Sequence, residues 1–323
     1  MQALIRNPHG QVQFVNDYPD PRPGPDQVLL AVRLAGICGT DLQILQGYAD
    51  FHGVLGHEFV AAVAKGPREL LGRRVVAEIN CVCGRCDMCL SGLASHCRQR
   101  TVLGIHNHDG AFADLLVVPR RNVHVLPEAV PDDAALFVEP LAAALQIVKQ
   151  CPIEPRNKVV VLGDGRLGLL AVQVLAAAGK KGNVVLVGKH PDKLLFAEKR
   201  GIQGVLLADL LLKPEWDVVI DCTGSPDGFA AAAALVRPRG RLVLKSTWTP
   251  AAPVDLSPLV VNEIQLIGSR CGPFPDAVNA LAAGQVVTTG LITARYPLAD
   301  GPAALQKARQ PDQIKVVLEI RKT

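Results

Sequence analysis

The most constraining stretch of the sequence runs from Lys158 to Gly168 and reads KVVVLGDGRLG. The aliphatic run from Val159 to Leu162 predicts a short buried strand of a parallel sheet. Three glycines follow with the spacing G-x-G-x-x-G, and the apolar residues 169–178 predict a helix. Strand, glycine turn and helix in this order predict a dinucleotide-binding turn, whereas the same glycines without that context are a weak signal.

The residues of this turn have separate predicted parts in holding a dinucleotide. Gly163 makes the tight turn, Gly165 lets a pyrophosphate approach the backbone, and Gly168 lets the helix pack closely on the strand. The phosphates would accept hydrogen bonds from free N–H groups at the helix N-terminus, where the dipole favours negative charge. We therefore predict that these glycines bind the cofactor together with Arg166 and Leu167.

Beyond the turn, strands alternate with helices, which is typical of a doubly wound α/β sheet. The predicted strands are 159–162, 184–187, 205–207, 218–221, 241–244 and 264–267, and the predicted helices are 169–178, 192–200 and 227–236. Residues 1–35 instead alternate short apolar runs with proline and glycine, which predicts a small β-rich domain. A last strand is predicted at 315–320.

A second strong pattern is a cluster of four cysteines, Cys83, Cys86, Cys89 and Cys97, with the spacing C-x2-C-x2-C-x7-C. Four thiolates on one short loop can close a tetrahedral cage with no open position, which is typical of a structural zinc site. An iron–sulfur cluster is the chemical alternative.

Further upstream stand three residues whose side chains suit zinc, namely Cys38, His57 and Glu58. Each of them alone has a plainer explanation, as a small buried thiol, a core histidine or a surface charge. Their separation in the chain means that only the fold can bring them together.

Composition excludes several classes of protein. The 323 residues carry 34 Lys and Arg against 30 Asp and Glu, with no basic block and only 4% aromatic residues, so nothing indicates nucleic-acid binding. The longest near-apolar run, 167–178, is too short to span a bilayer, and the N-terminal residues lack a signal-peptide core. We expect a cytoplasmic protein whose nine cysteines are thiols or metal ligands.

Together, these motifs resemble the zinc-containing medium-chain alcohol/polyol dehydrogenase family. The resemblance covers essentially the whole chain, and the Glu-Pro pair is typical of its sorbitol- and threonine-dehydrogenase-like members. It is carried, in order, by GICGTD at 36–41, GHE at 56–58, the four-cysteine loop, VEPL at 138–141 and GDGRLG at 163–168.

The resemblance implies a GroES-like catalytic domain at 1–140, completed by 271–323, and a Rossmann domain at 141–270. It implies two zinc ions per chain and a homodimer or homotetramer. Cys38 and His57 would be ligands of the catalytic zinc, and either Glu58 or Glu139 would bind it directly. Thr40 would supply the hydroxyl of a proton relay, and Asp41 would support a ligand from behind.

The cofactor prediction depends on the end of the second Rossmann strand. An NAD site usually has an acid there, about twenty residues after the glycines, on the ribose 2′-hydroxyl. This chain has Gly188, Lys189 and His190 instead, so we predict a preference for NADP over NAD. By the same resemblance, Lys193 would lie over the adenine and Lys315 would reach the pyrophosphate.

The function implied is hydride transfer between an alcohol or polyol, or the matching carbonyl, and NADP(H). Zinc would polarise the substrate oxygen, and the cofactor would carry the redox chemistry. Two alternatives stay open at this point. One is an NADPH-dependent reductase of a larger carbonyl compound, and the other is a nucleotide- and zinc-binding sensor or scaffold without catalytic activity.

Overall fold

The computed structural model describes residues 1–249 and 251–320, with the side chains of residues 180 and 181 not described. The chain divides into two compact units. The first comprises Met1–Glu139 and Thr288–Thr323, of which the last three residues lie outside the described part, and the second comprises Pro140–Val287. Residues 271–287, which the sequence analysis assigned to the first domain, therefore lie in the second.

The strands are numbered in chain order. They are β1 Ala3–Arg6, β2 Val12–Val15, β3 Gln27–Gly36, β4 Gly53–Val54, β5 Glu58–Lys65, β6 Arg74–Ala77, β7 Asn80–Cys81, β8 Thr101–Val102, β9 Leu115–Pro119, β10 Val123–Val125, β11 Val159–Leu162, β12 Val184–Gly188, β13 Gln203–Leu206, β14 Trp216–Asp221, β15 Val236–Leu244, β16 Gln265–Gly268, β17 Ile292–Pro297 and β18 Lys315–Glu319.

The α-helices are α1 Gly39–Ile44, α2 Asp87–Leu90, α3 Asp132–Ala135, α4 Val138–Gln150, α5 Arg166–Leu175, α6 Pro191–Glu198, α7 Pro226–Leu235, α8 Ser257–Val261, α9 Phe274–Ala282 and α10 Gly301–Ala308. Among these described helices, none combines the length and apolar character needed to cross a membrane.

The first unit is built on a mostly antiparallel sheet. Its strands follow the order β10-β6-β5-β3-β18-β17, with β9 also paired to β3. The inward-facing side chains of β3, among them Val28, Leu30 and Val32, are fully buried, because apolar residues alternate along a strand that packs one face on a core. The long strand β3 therefore lies at the centre of this unit and positions the segments that follow its end.

The second unit is a six-stranded parallel sheet with the order β13-β12-β11-β14-β15-β16. Counted within the unit, this is the order 3-2-1-4-5-6 of the Rossmann fold. Its inner strands are rich in valine, leucine and isoleucine, as expected for a parallel sheet with two buried faces, and Val160, Val219 and Leu242 are fully buried. The predicted fold class is confirmed.

The first Rossmann helix begins earlier than the sequence predicted. The apolar pattern suggested 169–178, but α5 starts at Arg166, directly after Gly165 as its N-cap, and ends at Leu175. Residues 176–180 form a wider turn in which Gly179 has a φ of 79°. The alanines there extended the apolar run in the sequence although the regular helix had already ended.

Candidate metal centres and dinucleotide-binding turn

Three strands of the first unit meet at the candidate catalytic site. In the antiparallel register of β3 and β5, Gly36 lies opposite Glu58, and in that of β3 and β18, Gly36 lies opposite Val317. Cys38 follows the end of β3, His57 precedes β5, and Lys315 is the first residue of β18. Residues from three distant parts of the sequence therefore converge because the strand register places them side by side.

The predicted zinc-binding residues are close together in this unit. Ligand atoms of Cys38, His57 and Glu58 all lie within 4.8 Å of one another, and both His57 and Glu58 are buried. A thiolate, an imidazole and a carboxylate are a donor set that zinc accepts, and three protein ligands leave a fourth position open, as in catalytic sites. Glu139, in the first turn of α4, is not a member of this group of ligand atoms.

The buried Asp41 organises this group from behind. Its Oδ2 accepts a hydrogen bond from the backbone N–H of Cys38 at 2.8 Å, and its Oδ1 lies 3.4 Å from Nδ1 of His57. Burial opposes a charge on the His57 ring, but Asp41 and Cys38 outweigh it, and the pKa of His57 is raised well above its usual value. With Nδ1 turned toward a carboxylate, the Nε2 atom is the one available to a metal.

The structure gives Lys315 a position different from the predicted contact with a pyrophosphate. Its side chain is only 1% exposed, its ammonium group pairs with Oε2 of Glu58, and Nζ donates to the carbonyl oxygen of Ile37 at 3.2 Å. An ammonium held in this way is a partner of the buried carboxylate and cannot extend to a phosphate. The signal in the sequence was a lysine at the start of an otherwise apolar strand, since a fully buried lysine almost always has an ionic partner.

The predicted proton-relay residue lies beside the same thiol. The hydroxyl Oγ1 of Thr40 is 3.7 Å from Sγ of Cys38, on the first turn of α1. Thr40 is half-buried, whereas Asp41 on the same turn is fully buried. Of the two polar side chains on this turn, Asp41 is the buried one, which contacts the backbone of Cys38 and the ring of His57.

The four-cysteine loop forms a second group of ligand atoms. The Sγ–Sγ separations are 3.5 Å for Cys86 and Cys89, 3.8 Å for Cys86 and Cys97, and 3.5 Å for Cys97 and Cys83. A tetrahedral zinc ion with Zn–S bonds of about 2.3 Å would set these separations at roughly 3.8 Å. The thiols therefore fit a single tetrahedral ion, while an iron–sulfur cluster, with several irons, would need them farther apart.

Backbone N–H groups of the loop point at its sulfurs. The N–H of Cys83 donates to Sγ of Cys97 at 3.3 Å, and the N–H of Arg85 donates to Sγ of Cys83 at 3.5 Å. Similar bonds from the N–H groups of Arg98 and Cys89 lower the pKa of Cys86 to about 6. These N–H groups favour the thiolate of Cys86, the form that binds zinc, whereas burial and the neighbouring sulfurs raise the pKa of Cys89 to about 12.

The glycine turn lies at the carboxyl ends of adjacent parallel strands in the second unit. Leu162 of β11 is opposite Val187 of β12, and the N–H of Gly163 donates to the carbonyl of Val187 at 2.8 Å. Gly163 has a φ of 106°, which only glycine adopts readily. Arg166 and Leu167 form the half-buried first turn of α5.

The end of β12 holds a feature that the sequence analysis missed. Asp164, from within the glycine turn, accepts hydrogen bonds on Oδ2 from the N–H groups of Lys189 and His190, both at 2.7 Å. A Cβ atom on Gly188 would fall on the Asp164 carboxylate, 2.6 Å from its Cγ. The signal in the sequence was an acid between two glycines of the turn. Among the other predicted residues here, Lys189 is exposed, whereas Lys193 is buried in α6.

Comparison with known proteins places these sites in a family. Residues 24–128 match the alcohol dehydrogenase GroES-like domain, and residues 167–287 match the zinc-binding dehydrogenase domain. The chain is 30% identical to a sorbitol dehydrogenase of Halalkalibacterium halodurans, covering 98% of this chain and 99% of that protein. It is 31% identical to an L-threonine 3-dehydrogenase of Streptomyces avermitilis, covering 99% of each.

Two solved structures are also similar over 99% of both chains, each with a TM-score of 0.89. One is described as a short chain alcohol dehydrogenase from Escherichia coli CFT073 complexed with NADH, at 27% identity. The other is a zinc-binding dehydrogenase from Sinorhizobium meliloti 1021 bound to NADP, at 28% identity. The chain belongs to the zinc-containing medium-chain alcohol/polyol dehydrogenase family. It is an oxidoreductase with a GroES-like domain and a Rossmann domain.

Substitution of two glycines of the turn by alanine should separate an effect on stability from an effect on cofactor binding. A Cβ atom on Gly168 would overlap the carbonyl oxygen of Gly163, while one on Gly165 would meet no atom within 4 Å. We expect Gly168→Ala to lower the free energy of unfolding by roughly 2–3 kcal/mol, as overpacking does. Gly165→Ala should keep the stability and weaken cofactor binding, because the added methyl group obstructs the phosphate approach. Urea unfolding and titration with cofactor measure the two effects, and equal stability of both variants would contradict this reading of Gly168.

Proposed function

We propose that this protein transfers a hydride between an alcohol or polyol, or the matching carbonyl, and a nicotinamide cofactor at a zinc site formed by Cys38, His57 and Glu58. The observation that carries the proposal is the convergence of these three ligand atoms within 4.8 Å in the first unit. The glycine turn of the second unit supports it, because a dinucleotide is what such a turn holds. A substrate panel of alcohols, polyols, amino alcohols and aldehydes, followed by nicotinamide absorbance, tests it.

The chemistry separates what the bound groups supply from what the chain does. When present, zinc supplies a Lewis acid for the substrate oxygen, and the nicotinamide ring accepts or gives the hydride. Cys38, His57 and Glu58 would hold the metal, and Asp41 would fix the tautomer and orientation of the His57 ring. Thr40 presents its hydroxyl beside Cys38, where it can accept the proton that an alcohol loses on oxidation.

Lys315 adjusts the charge of the site. The ligands and Asp41 bring three acidic groups into a buried space, and the ammonium of Lys315 compensates the carboxylate of Glu58 directly. A carboxylate that is already paired donates less charge to a metal. We propose that Lys315 in this way keeps the metal a stronger Lewis acid than an isolated Cys-His-Glu set would allow.

The four-cysteine loop is proposed to hold a second zinc ion with a structural role. Its four sulfurs fill a tetrahedron and leave no position for a substrate. Both zinc sites need reduced thiols, and the nine cysteines have no disulfide among them. A reducing compartment such as the cytoplasm is therefore the proposed location.

A homo-oligomer is proposed on the basis of the edge of the Rossmann sheet. Strand β16 is one of the two edge strands of this sheet. Leu266 on it is 46% exposed, and Val260 and Val261 on α8 are 77% and 80% exposed. Edge strands and apolar patches are both surfaces on which another chain can pack. A second copy of this chain, pairing edge to edge, would cover the patch.

Replacing one ligand separates the two metal sites. We expect wild-type protein to hold two zinc ions per chain, and Cys38→Ser to hold one and to lose turnover, because the remaining ion stays in the four-cysteine loop. Elemental analysis of the zinc-to-protein ratio measures this, with circular dichroism to show that the fold is kept.

The matched control is Cys271→Ser, since Cys271 is a half-buried cysteine that belongs to neither group of ligand atoms. It should keep both ions and full activity. A wild-type protein with a single zinc ion, retained in Cys38→Ser, would favour a scaffold over an enzyme.

The cofactor preference rests on the end of β12. Lys189 is exposed there, and an exposed ammonium can pair with a 2′-phosphate. We expect kcat/KM to be higher with NADP than with NAD for whichever substrate the panel identifies. About a tenfold advantage for NAD, equivalent to 1.4 kcal/mol, would contradict the preference.

The edge-strand proposal predicts that charge on the patch will separate the copies. Val261→Glu combined with Leu266→Glu should reduce the molar mass in solution to that of one chain, 34.4 kDa. Analytical ultracentrifugation measures it. Leu211→Glu is the control, because Leu211 is 68% exposed and lies outside the patch. Dissociation by the control, or none by the double variant, would place the interface elsewhere.

A further inference from the structure

In Rossmann sites the acid that binds the ribose usually belongs to the residue at the end of the second strand. In this chain that residue has no carboxylate, but the carboxylate of another residue, Asp164, lies at the same position. Strand β12 ends in Gly188, which has no side chain. The Asp164 carboxylate fills the volume that a side chain at 188 would enter, since a Cβ there would lie 2.6 Å from Cγ of Asp164 and nearer still to Cβ and Oδ2. The glycine and the acid are therefore complementary.

The carboxylate is held at this place by the backbone that follows the strand. Oδ2 accepts from the N–H groups of Lys189 and His190 at 2.7 Å, and the Nδ1 atom of His190 lies 3.1 Å from Oδ1 and 3.0 Å from Oδ2. Asp164 is 7% exposed. Because the N–H groups of Lys189 and His190 donate to Asp164, they are not available to bind a phosphate at the end of β12.

One acceptor position of Asp164 stays available. Each carboxylate oxygen offers two lone pairs, and both N–H groups bond to Oδ2, whereas Oδ1 has the His190 ring as its one described contact and keeps a lone pair. The end of the second strand is where the ribose 2′-hydroxyl of a dinucleotide meets its acid. A hydroxyl can donate to the remaining position, whereas a phosphate would bring negative charge against negative charge.

We propose that Asp164 is the residue that discriminates at the ribose 2′ position of the cofactor, accepting a hydrogen bond from a 2′-hydroxyl and opposing a 2′-phosphate. The selectivity of the site is then a balance between Asp164, which favours NAD, and the neighbouring Lys189, which favours NADP. This inference rests on the proposed binding of a dinucleotide at the glycine turn, and it holds whichever cofactor the wild-type protein prefers.

The test measures binding of two cofactor fragments, 5′-ADP and 2′,5′-ADP, by calorimetry on the full chain, so it does not require turnover. In Asp164→Asn the side-chain oxygen can still accept from the N–H groups of Lys189 and His190, while the negative charge is removed and the second oxygen is replaced by an NH2 group. We expect the ratio of affinities, 2′,5′-ADP over 5′-ADP, to rise about tenfold, as expected when a like charge near a phosphate is neutralised.

A swapped pair separates charge from structure. Gly188→Asp alone should destabilise the fold, because its side chain overlaps Asp164. The double variant Asp164→Gly, Gly188→Asp places the acid at the end of the second strand, where Rossmann sites usually have it. This variant should fold and have an affinity ratio close to that of the wild-type protein. A residue that only braced the 189–190 turn would not be rescued in this way.

The outcomes distinguish the inference from the function on which it rests. If neither fragment binds the wild-type protein, the proposed dinucleotide site is wrong and the inference falls with it. If both fragments bind but Asp164→Asn leaves their ratio unchanged, or weakens both equally, the inference is wrong while the dinucleotide site stands. A ratio that rises in Asp164→Asn and returns in the swapped pair supports the assignment of Asp164.

Discussion

The ion pair between Glu58 and Lys315 is the interaction on which the candidate catalytic site depends. Both side chains are fully buried, and burying charges is costly unless they are paired and hydrogen-bonded. Removing one partner of such a pair typically costs about 3–5 kcal/mol, because the other charge is left without compensation. The pair can form only if β3 stands between β5 and β18 in the observed register, so the fold of the first unit and the charge of its site are fixed together.

The same logic of compensation recurs around the site. Asp41 is buried, yet it accepts from the backbone of Cys38 and faces the ring of His57. In the second cluster the sulfurs of Cys83 and Cys97 accept hydrogen bonds from backbone N–H groups. In each case a group that would be unstable alone is held by short local contacts, which leaves the ligand atoms in place before any metal arrives. Preorganisation of this kind is what a metal site needs to bind in one geometry.

Local patterns predicted much of this structure. The run 159–162 predicted β11 with correct bounds, the glycine spacing predicted the turn, and the apolar run after it predicted a helix that in fact begins at Arg166. The four-cysteine loop was recognisable because its ligands are adjacent in the chain. Local patterns could not predict contacts that depend on which strands are neighbours in a sheet. The pairing of Lys315 with Glu58 spans 257 residues, and that of Asp164 with the backbone of Lys189 depends on two parallel strands being neighbours. The sequence analysis therefore assigned Lys315 to a phosphate and treated the end of β12 as lacking an acid.

The position of β18 near the end of the described chain bears on how the site is assembled. Cys38, His57 and Glu58 are all synthesised early, but the lysine that compensates the glutamate belongs to a strand that emerges only after the whole second unit. Before β18 is synthesised, the carboxylate of Glu58 lacks this partner, and burying it without a compensating charge is unfavourable. The ligand site can therefore be completed only after β18 has been synthesised, and a chain that stops before β18 would lack the lysine that pairs with Glu58.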